Sequence, residues 1–246
     1  DIEKYGVQHY PFGNKENKNV VEYGGEWYRK IEVSGEKGTY SDYSFHDGSK
    51  VEKGRYYYLK YEPLKWIVKE FKTGETIAVT KNAIDYFYYV DYVYDVRKKD
   101  GAAVANNDYR YSVMRSYTNE INGNKEFGSW GWDFSRSSGK SLGSTRLFLN
   151  EKENNILKPY DKCYGDKVFL LSKEEYEENF AQEEKIAEKT DEFALFEEFE
   201  KTKAVSYATR SAGGGTEKII CVNSQGEFIT RDAHDNVACR FAVRIK

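Results

Sequence analysis

The chain has 246 residues, which is long enough for one large domain or two small ones with a sizeable hydrophobic core. Its net charge of −3 and its dispersed Lys and Arg residues argue against the basic surface of a nucleic-acid-binding protein. No apolar run approaches the roughly 18 residues that suggest a membrane span. The three His are scattered and the three Cys lack CxxC spacing, so we predict no metal and no cofactor.

Aromatic residues make up 16% of the chain, and 22 Tyr and 14 Phe stand against three Pro. This composition favours β structure with long loops over a helical bundle. Residues 1–54 are polar, rich in Gly and Tyr, and interrupted by turn signals such as "YGG" and "HDGS". We predict that they form an N-terminal extension of short strands and loops, which packs on a main domain at residues 55–246.

The first half of the main domain is predicted to be mostly β structure. "RYYYLKY" (55–61) is a strand, and "LKWIVKE" and "ETIAVTK" form a hairpin around "FKTG". A loop-rich insertion follows near residues 98–143, and it contains the strand candidate "YRYSVMRSY" (109–117).

The second half mixes helices and strands. "STRLFLNEKENNIL" (144–157) predicts a short helix, and "DKVFLLS" (166–172) predicts a buried strand. Ser172 and Glu175 form a capping box, so a helix begins near Lys173, and a second helical stretch starts at about Asp191. "EKIICVN" and "EFITR" predict a hairpin around "SQG", and "VACRFAVRI" (237–245) predicts the last strand. Because strands and helices are segregated along the chain, we predict an α+β fold.

Several motifs occur in a fixed order: "LKWIV", "RLFLN" (146–150), "GDKVFLLSKEEY" (165–176), "SYATRSAGGG" (206–215), "VNSQGE" (222–227) and "ACRFAVRIK" (238–246). Together they resemble an uncharacterised bacterial family, a domain of unknown function, over roughly residues 55–246. The resemblance implies a fold similar to the C-type-lectin-like domain shared with formylglycine-generating enzymes. That fold is a small, twisted, mostly antiparallel sheet with two or three helices and long irregular loops.

Two segments carry candidate ligand-binding residues. In "FGSWGWDF", alternation places Trp130, Trp132 and Phe134 on one face, where they either stack on a sugar or a partner, or cover a small core. In "RDAHDN", a group of four polar residues (Asp232, His234, Asp235 and Asn236) offers ligands for calcium or another partner. The same residue types are typical of a tight turn before a strand, and we favour the turn.

Other residues are predicted to be structural. Trp66 and Phe169 lie in apolar strands and should be buried. Arg210 and Arg240 fall at two arginine positions of the resembled family; we favour buried, paired side chains over ligand binding, and Arg146 is interpreted in the same way. Of the three cysteines (Cys163, Cys221 and Cys239), Cys239 is interpreted as a small buried residue of the last strand. The alternatives are a bridge between Cys239 and Cys221, or a catalytic or copper-binding pair like that of the formylglycine-generating enzymes.

These features suggest a non-catalytic binding module, located outside the cell or on the cell envelope, that recognises a glycan or a surface protein through its loops. One alternative is an oxidoreductase-like enzyme related to formylglycine-generating enzymes, which would need exposed thiols of low pKa. Another is a structural or assembly domain of a larger surface protein, which would expose an apolar patch.

Overall fold

Strand pairing and packing divide the chain into two units. In the computed structural model, unit 1 comprises Asp1–Leu64 and Lys189–Lys203, and unit 2 comprises Lys65–Glu188 and Ala204–Lys246. The structure describes residues 2–9, 20–32, 50, 52, 54–60, 64–90, 98–99, 102–115, 155–190 and 204–246.

Unit 1 contains one antiparallel meander. Its elements are α1 (Ile2–Tyr5), β1 (Val7–His9), β2 (Val20–Tyr23), β3 (Glu26–Glu32) and β4 (Tyr56–Lys60), and the strand order is β1-β2-β3-β4. The predicted strand at 55–61 is therefore confirmed as β4, which pairs with β3. The packing of residues 1–54 on the main domain stays a prediction.

Among its described residues, unit 2 contains eleven strands, two short α-helices with both ends described, and further helical residues at 113–115 and 155–156. The strands are β5 (Trp66–Glu70), β6 (Thr76–Thr80), β7 (Asp85–Tyr88), β8 (Lys98–Lys99), β9 (Ala102–Ala103), β10 (Val168–Phe169), β11 (Tyr207–Ala212), β12 (Lys218–Val222), β13 (Phe228–Asp232), β14 (Asn236–Cys239) and β15 (Ala242–Arg244). The helices are α2 (Lys173–Asn179) and α3 (Gln182–Lys185).

The strands of unit 2 form a four-stranded sheet of order β10-β15-β6-β5 and a five-stranded sheet of order β13-β12-β11-β14-β7, besides the small pair β8-β9. All neighbouring strands are antiparallel except β11 and β14, which are parallel. The fold is thus α+β with mostly antiparallel sheets and few helices, as predicted.

Both predicted hairpins are present. β5 and β6 are joined by a turn in which Gly74 has a φ of +88°, and β12 and β13 are joined by a turn in which Gly226 has a φ of +79°. Residues other than glycine are strained at such angles, which explains the glycine in each turn.

The predicted single strand at residues 237–245 is wrong. The segment is divided into β14 and β15, which belong to different sheets, and Arg240 and Phe241 lie between them. The chain also passes between the same two sheets where β6 leads to β7. These two passages lie side by side, because the Thr80 amide donates to the Phe241 carbonyl (2.8 Å) and the Ile84 amide donates to the Cys239 carbonyl (3.1 Å).

The predicted helix after Ser172 is confirmed as α2, with a complete capping box. The Ser172 hydroxyl accepts from the Glu175 amide (3.2 Å), and the Glu175 carboxylate accepts from the Ser172 amide (2.9 Å). Tyr176 and Phe180 turn inward and are buried, as the helical spacing predicts.

The strand predicted at residues 109–117 is wrong. Tyr109–Tyr111 is a 3-10 helix instead, and the Asp108 side chain caps it by accepting from the Arg110 amide (2.9 Å). A side-chain cap of this kind stabilises a helical turn over an extended strand. Residues 144–154 of the helix predicted at 144–157 lie outside the described residues; of the remaining three, Asn155 and Ile156 are helical and Leu157 is not. The predicted helical stretch from about Asp191 also lies outside the described residues.

The described core of unit 2 is built from strand and helix side chains that are almost completely shielded from solvent. Among them are Val79, Phe169, Leu170, Tyr176, Tyr207, Ile219, Val237 and Phe241. Trp66 is only half-buried, which is less than predicted, because β5 is the edge strand of its sheet.

Among the described residues, no helix has the length and apolar character needed to cross a membrane.

Candidate functional site

The polar segment before the last strands is a tight turn between β13 and β14. The Asp232 carboxylate accepts from the His234 amide (3.0 Å), and the Asp232 carbonyl accepts from the Asp235 amide (3.1 Å). Asp232 also forms an ion pair with Lys218 (3.0 Å). The His234 amide, and then Lys218, lower the pKa of Asp232. Asn236 is exposed and begins β14. This geometry is the turn that the sequence favours.

The structure does not gather these side chains around a metal position. Within the part of the chain that the structure describes, no three His, Cys, Asp or Glu side chains are arranged to hold a metal ion. Asp235 is exposed, and Asp232 is engaged by the turn and by Lys218.

His234 joins a different polar group. Its Nε2 atom lies 3.1 Å from the Asn106 side-chain nitrogen and 3.5 Å from the Glu217 carboxylate. Asn106 also donates to that Glu217 oxygen at 2.6 Å. Three separate segments therefore converge on a partly exposed group that contains a carboxylate, a carboxamide and an imidazole, all of which can bind hydroxyl groups.

The buried residue Asn107 holds this group in place. Its side chain donates to the carbonyls of Gly215 and Lys218, both at 2.8 Å. It thereby fixes the glycine-rich loop between β11 and β12 next to residues 106 and 107. Glu217 ends that loop, so its position depends on the same two hydrogen bonds.

An exposed tyrosine, Tyr164, lies near Arg110, four residues after Asn106 in the chain. Tyr164 is 52% exposed and has a φ of +56°, and it is the only described residue other than glycine with a positive φ. Its ring centre lies 4.8 Å from the Arg115 guanidinium and 5.7 Å from the Arg110 guanidinium. Burial, followed by the charge of Asp108, raises the pKa of the Tyr164 hydroxyl.

The Arg115 guanidinium that contacts this ring belongs to a buried ion pair. Arg115 donates to both oxygens of Asp166, at 2.7 Å from Nε and 3.0 Å from Nη2, and both side chains are almost fully buried. Arg115 also donates to the Arg110 carbonyl (2.7 Å). A bidentate pair of this kind fixes the guanidinium plane. The Tyr164 ring therefore packs against a guanidinium of fixed orientation.

One short segment connects the two groups. Asn106 belongs to the polar group and Arg110 to the tyrosine group, and four residues span at most about 14 Å. We call the five residues of both groups the recognition surface: Asn106, Arg110, Tyr164, Glu217 and His234.

Arg210 lies in a buried cluster next to α2. It donates to both oxygens of Glu175 at 2.5 Å and to the Leu170 carbonyl at 2.8 Å, while the Tyr160 hydroxyl donates to Glu175 at 2.6 Å. Burial alone would raise the pKa of Glu175, but the bonds from Arg210 outweigh it, and the pKa is lowered.

Arg240 is completely buried and binds uncharged groups. It donates to the carbonyls of Thr80 (2.8 Å), Glu184 (2.9 Å) and Lys185 (3.2 Å) and to the Tyr207 hydroxyl (3.1 Å). Thr80 lies where the chain leaves β6 for the other sheet, and Glu184 and Lys185 lie in α3. The contacts of Arg210 and Arg240 are therefore internal to the fold.

The three cysteines are free thiols and are all buried. Burial raises the pKa of Cys163 to about 12 and the pKa of Cys221 to about 12. The possible Cys221–Cys239 bridge is thus not formed.

Residues 74–246 match the family described as Domain of unknown function (DUF6273). The chain belongs to this family. The DUF6273 region begins in the β5–β6 turn and contains the entire recognition surface. The match agrees with the resemblance to an uncharacterised domain noted in the sequence. No curated protein and no solved structure matches the chain.

The structure describes the predicted site residues only in part. Trp130, Trp132 and Phe134 of the aromatic loop lie outside the described residues, as does Arg146. Sequence reasoning missed Tyr164, because "KCYGD" is typical of an ordinary turn and a positive φ at tyrosine is not visible in a sequence. It also missed Asn106 and Glu217, although the paired amides of "NND" are a signal for side chains that bind loop backbone.

Proposed function

We propose that this member of the DUF6273 family is a non-catalytic binding module that recognises a glycan through the recognition surface. The observation that carries the proposal is Tyr164. A tyrosine with a positive φ costs about 1 kcal/mol or more, and such strain is concentrated at functional positions. Here the strained backbone keeps an aromatic ring at the surface, above the rigid Arg115–Asp166 pair.

The chemistry of the surrounding side chains suits a sugar. A sugar ring has an apolar C–H face that stacks on an aromatic ring, and hydroxyl groups that need donors and acceptors. Tyr164 provides an aromatic face for stacking, and Asn106, Glu217 and His234 provide polar atoms. Asn106 is four residues from Arg110, whose guanidinium lies 5.7 Å from the Tyr164 ring centre, so the Cα atoms of residues 106 and 110 are at most about 14 Å apart.

We also propose that the fold is C-type-lectin-like and that the protein is located outside the cell or on the cell envelope. Short antiparallel sheets, few helices and irregular connections support a C-type-lectin-like arrangement, in which loops on a sheet framework bind the ligand. A glycan-binding module of this type would act outside the cell or on the cell envelope, where a glycan or a surface protein is its partner.

The buried thiols favour binding over the oxidoreductase-like alternative. Thiol chemistry needs an accessible thiolate, which requires exposure and a lowered pKa. Cys163 and Cys221 have the opposite properties, because each is buried and each has a pKa raised to about 12.

A glycan array tests the proposal with a matched pair of variants. Tyr164→Ala should weaken binding of the glycans that the parent protein retains by about tenfold, which corresponds to about 1.4 kcal/mol. Tyr56→Ala is the control. Tyr56 is also exposed and also has a cation over its ring, Lys30 at 4.1 Å, but it lies in regular strand β4.

Tyr164→Gly separates binding from folding. Glycine accepts the φ of +56° without strain, so this variant should be at least as stable as Tyr164→Ala and still lose binding. If the parent retains no glycan, or if Tyr164→Gly binds as tightly as the parent, the proposal is wrong.

A further inference from the structure

Arg110 differs in its environment from three other described arginines of unit 2, Arg115, Arg210 and Arg240. Its side chain is exposed, and its guanidinium lies 5.3 Å from the Tyr111 ring centre and 5.7 Å from the Tyr164 ring centre. By contrast, Arg115 and Arg210 bind carboxylates, and Arg240 binds carbonyls. Within the described residues, the Arg110 guanidinium has ring contacts and no carboxylate partner.

The described acidic residues of the two groups bind atoms other than the Arg110 guanidinium. The Asp108 carboxylate accepts from the main-chain amide of Arg110 at 2.9 Å. Asp166 neutralises Arg115 through two hydrogen bonds. Glu217 accepts from Asn106 and lies beside His234. The guanidinium of Arg110 is thus an exposed positive charge that forms no ion pair with a described carboxylate.

From this environment we infer that the glycan carries a carboxylate, as a uronic acid does, and that Arg110 binds it. This inference rests on the proposed function and specifies its ligand class. The planar guanidinium fork matches the two oxygens of a carboxylate. Two flanking rings limit the orientations of the guanidinium, which reduces the entropy lost when it binds.

The geometry places this charge next to the stacking ring. A sugar stacked on Tyr164 lies at the van der Waals distance above the ring, and the Arg110 guanidinium is 5.7 Å from the ring centre. A carboxylate on that sugar, or on its neighbour, therefore falls within reach of Arg110. With a neutral sugar, neither the ligand nor any described residue would give this guanidinium a carboxylate partner.

The test compares acidic glycans with their methyl esters on one array. Oligogalacturonate and other uronate-containing or sialylated glycans are printed beside the same molecules with esterified carboxylates. The parent should bind at least one acidic glycan, and esterification should weaken that binding by about tenfold or more, equivalent to about 1.4 kcal/mol. Binding of the acidic form should also weaken as salt is raised.

Arg110→Met should abolish this preference. It should weaken binding of the acidic form by about tenfold and leave the weak binding of the ester unchanged. Arg55→Met is the control, because Arg55 is also exposed beside a tyrosine ring (Tyr57, 5.8 Å) and its loss changes the net charge equally. It should bind like the parent. Arg110→Met should keep the parent melting temperature, since its carbonyl still accepts from Arg115.

The outcomes separate the two proposals. If the retained glycans are neutral, or if Arg110→Met binds acidic and esterified forms as the parent does, the inference is wrong. The proposed function still stands in that case, provided that Tyr164→Ala loses binding. If no glycan is retained by the parent, both proposals are wrong.

Discussion

Arg240 is a fully buried cation that donates to the carbonyls of Thr80 and Glu184. Arg240→Met fills the space but leaves these acceptors without their donor, so we expect a loss of about 1–3 kcal/mol in the free energy of unfolding. Urea unfolding measures the change. Arg244→Met is the matched control, because Arg244 also donates to carbonyls but is more exposed, and it should change stability by less than about 0.5 kcal/mol. Equal losses in the two variants would contradict this role for Arg240.

Glu175 links the protein's stability to pH. Its pKa in the folded protein lies below the ordinary value of 4.5, because the bonds from Arg210 outweigh the opposing effect of burial. The unfolded state therefore binds a proton more readily than the folded state. The stabilisation is fully present above about pH 4.5 and is lost as the pH falls through the folded-state pKa. Unfolding measured from pH 7 to pH 3 should show this loss.

Replacing Glu175 isolates its share of that pH dependence. Glu175→Gln leaves the buried charge of Arg210 uncompensated, so it should cost about 3–5 kcal/mol at pH 7 and reduce the loss of stability below pH 4.5. Glu177→Gln is the control, since Glu177 is exposed and its pair with Lys173 spans 3.5 Å. Glu177→Gln should change stability by less than about 0.5 kcal/mol. An unchanged acid response in Glu175→Gln would rule out Glu175 as its source.

These residues show what a sequence can indicate about single side chains. The capping box assigned Glu175 to the start of a helix from local spacing alone, because its partner Ser172 is three residues away. Its second role, as the partner of Arg210, depends on a residue 35 positions along the chain. The position of Arg240 in an apolar segment indicated burial, whereas its carbonyl partners come from distant segments that only the folded chain brings together.

At the level of elements, two hairpin turns allow a direct comparison. Gly74 and Gly226 both have positive φ, but a Cβ atom at Gly74 would meet open space, whereas one at Gly226 would lie 2.6 Å from the Gln182 carbonyl oxygen. Gly74→Ala should cost about 1–2 kcal/mol from backbone strain. Gly226→Ala should cost at least about 1 kcal/mol more, because α3 must also move. Thermal melting of the two variants tests the difference, and equal costs would show that α3 adjusts freely.

The same elements explain which secondary structures the sequence predicted. Both hairpins combine β-forming residues with a glycine in the turn, so local signals suffice. The segment at 109–117 contains β-forming residues too, but the Asp108 cap and the Ser112 amide, which donates to the Tyr109 carbonyl (3.1 Å), stabilise a helical turn. The break between β14 and β15 is likewise invisible locally, since it depends on the pairing of each half with a different strand.

At the scale of unit 2, the reactivity of the cysteine thiols measures global unfolding. Cys163, Cys221 and Cys239 are buried in a 3-10 helix and in strands β12 and β14, respectively. With pKa values of about 12 for Cys163 and Cys221, we expect no reaction of these thiols with a disulfide reagent at pH 8 in the native protein. All three should react in denaturant. Rapid reaction of two thiols in the native state would revive the oxidoreductase-like alternative.

The α+β class of the whole molecule follows from the order of segments, whereas the arrangement of its strands does not. Segregated strand and helix patterns indicated mixed, mostly antiparallel structure. The parallel contact of β11 with β14 and the contribution of Lys189–Lys203 to unit 1 depend on packing between segments far apart in sequence. The recognition surface is equally non-local, since Asn106, Tyr164 and His234 come from three segments.

The two adjacent passages between the sheets of unit 2 have a consequence for how the protein fluctuates. β6 and β15 belong to one sheet, β7 and β14 to the other, and hydrogen bonds from Thr80 to Phe241 and from Ile84 to Cys239 join both passages. Neither sheet can therefore open at this place without breaking bonds that also hold the other. Amide hydrogen exchange should consequently find one shared opening free energy for the central strands of both sheets, so that they behave as a single cooperative unit.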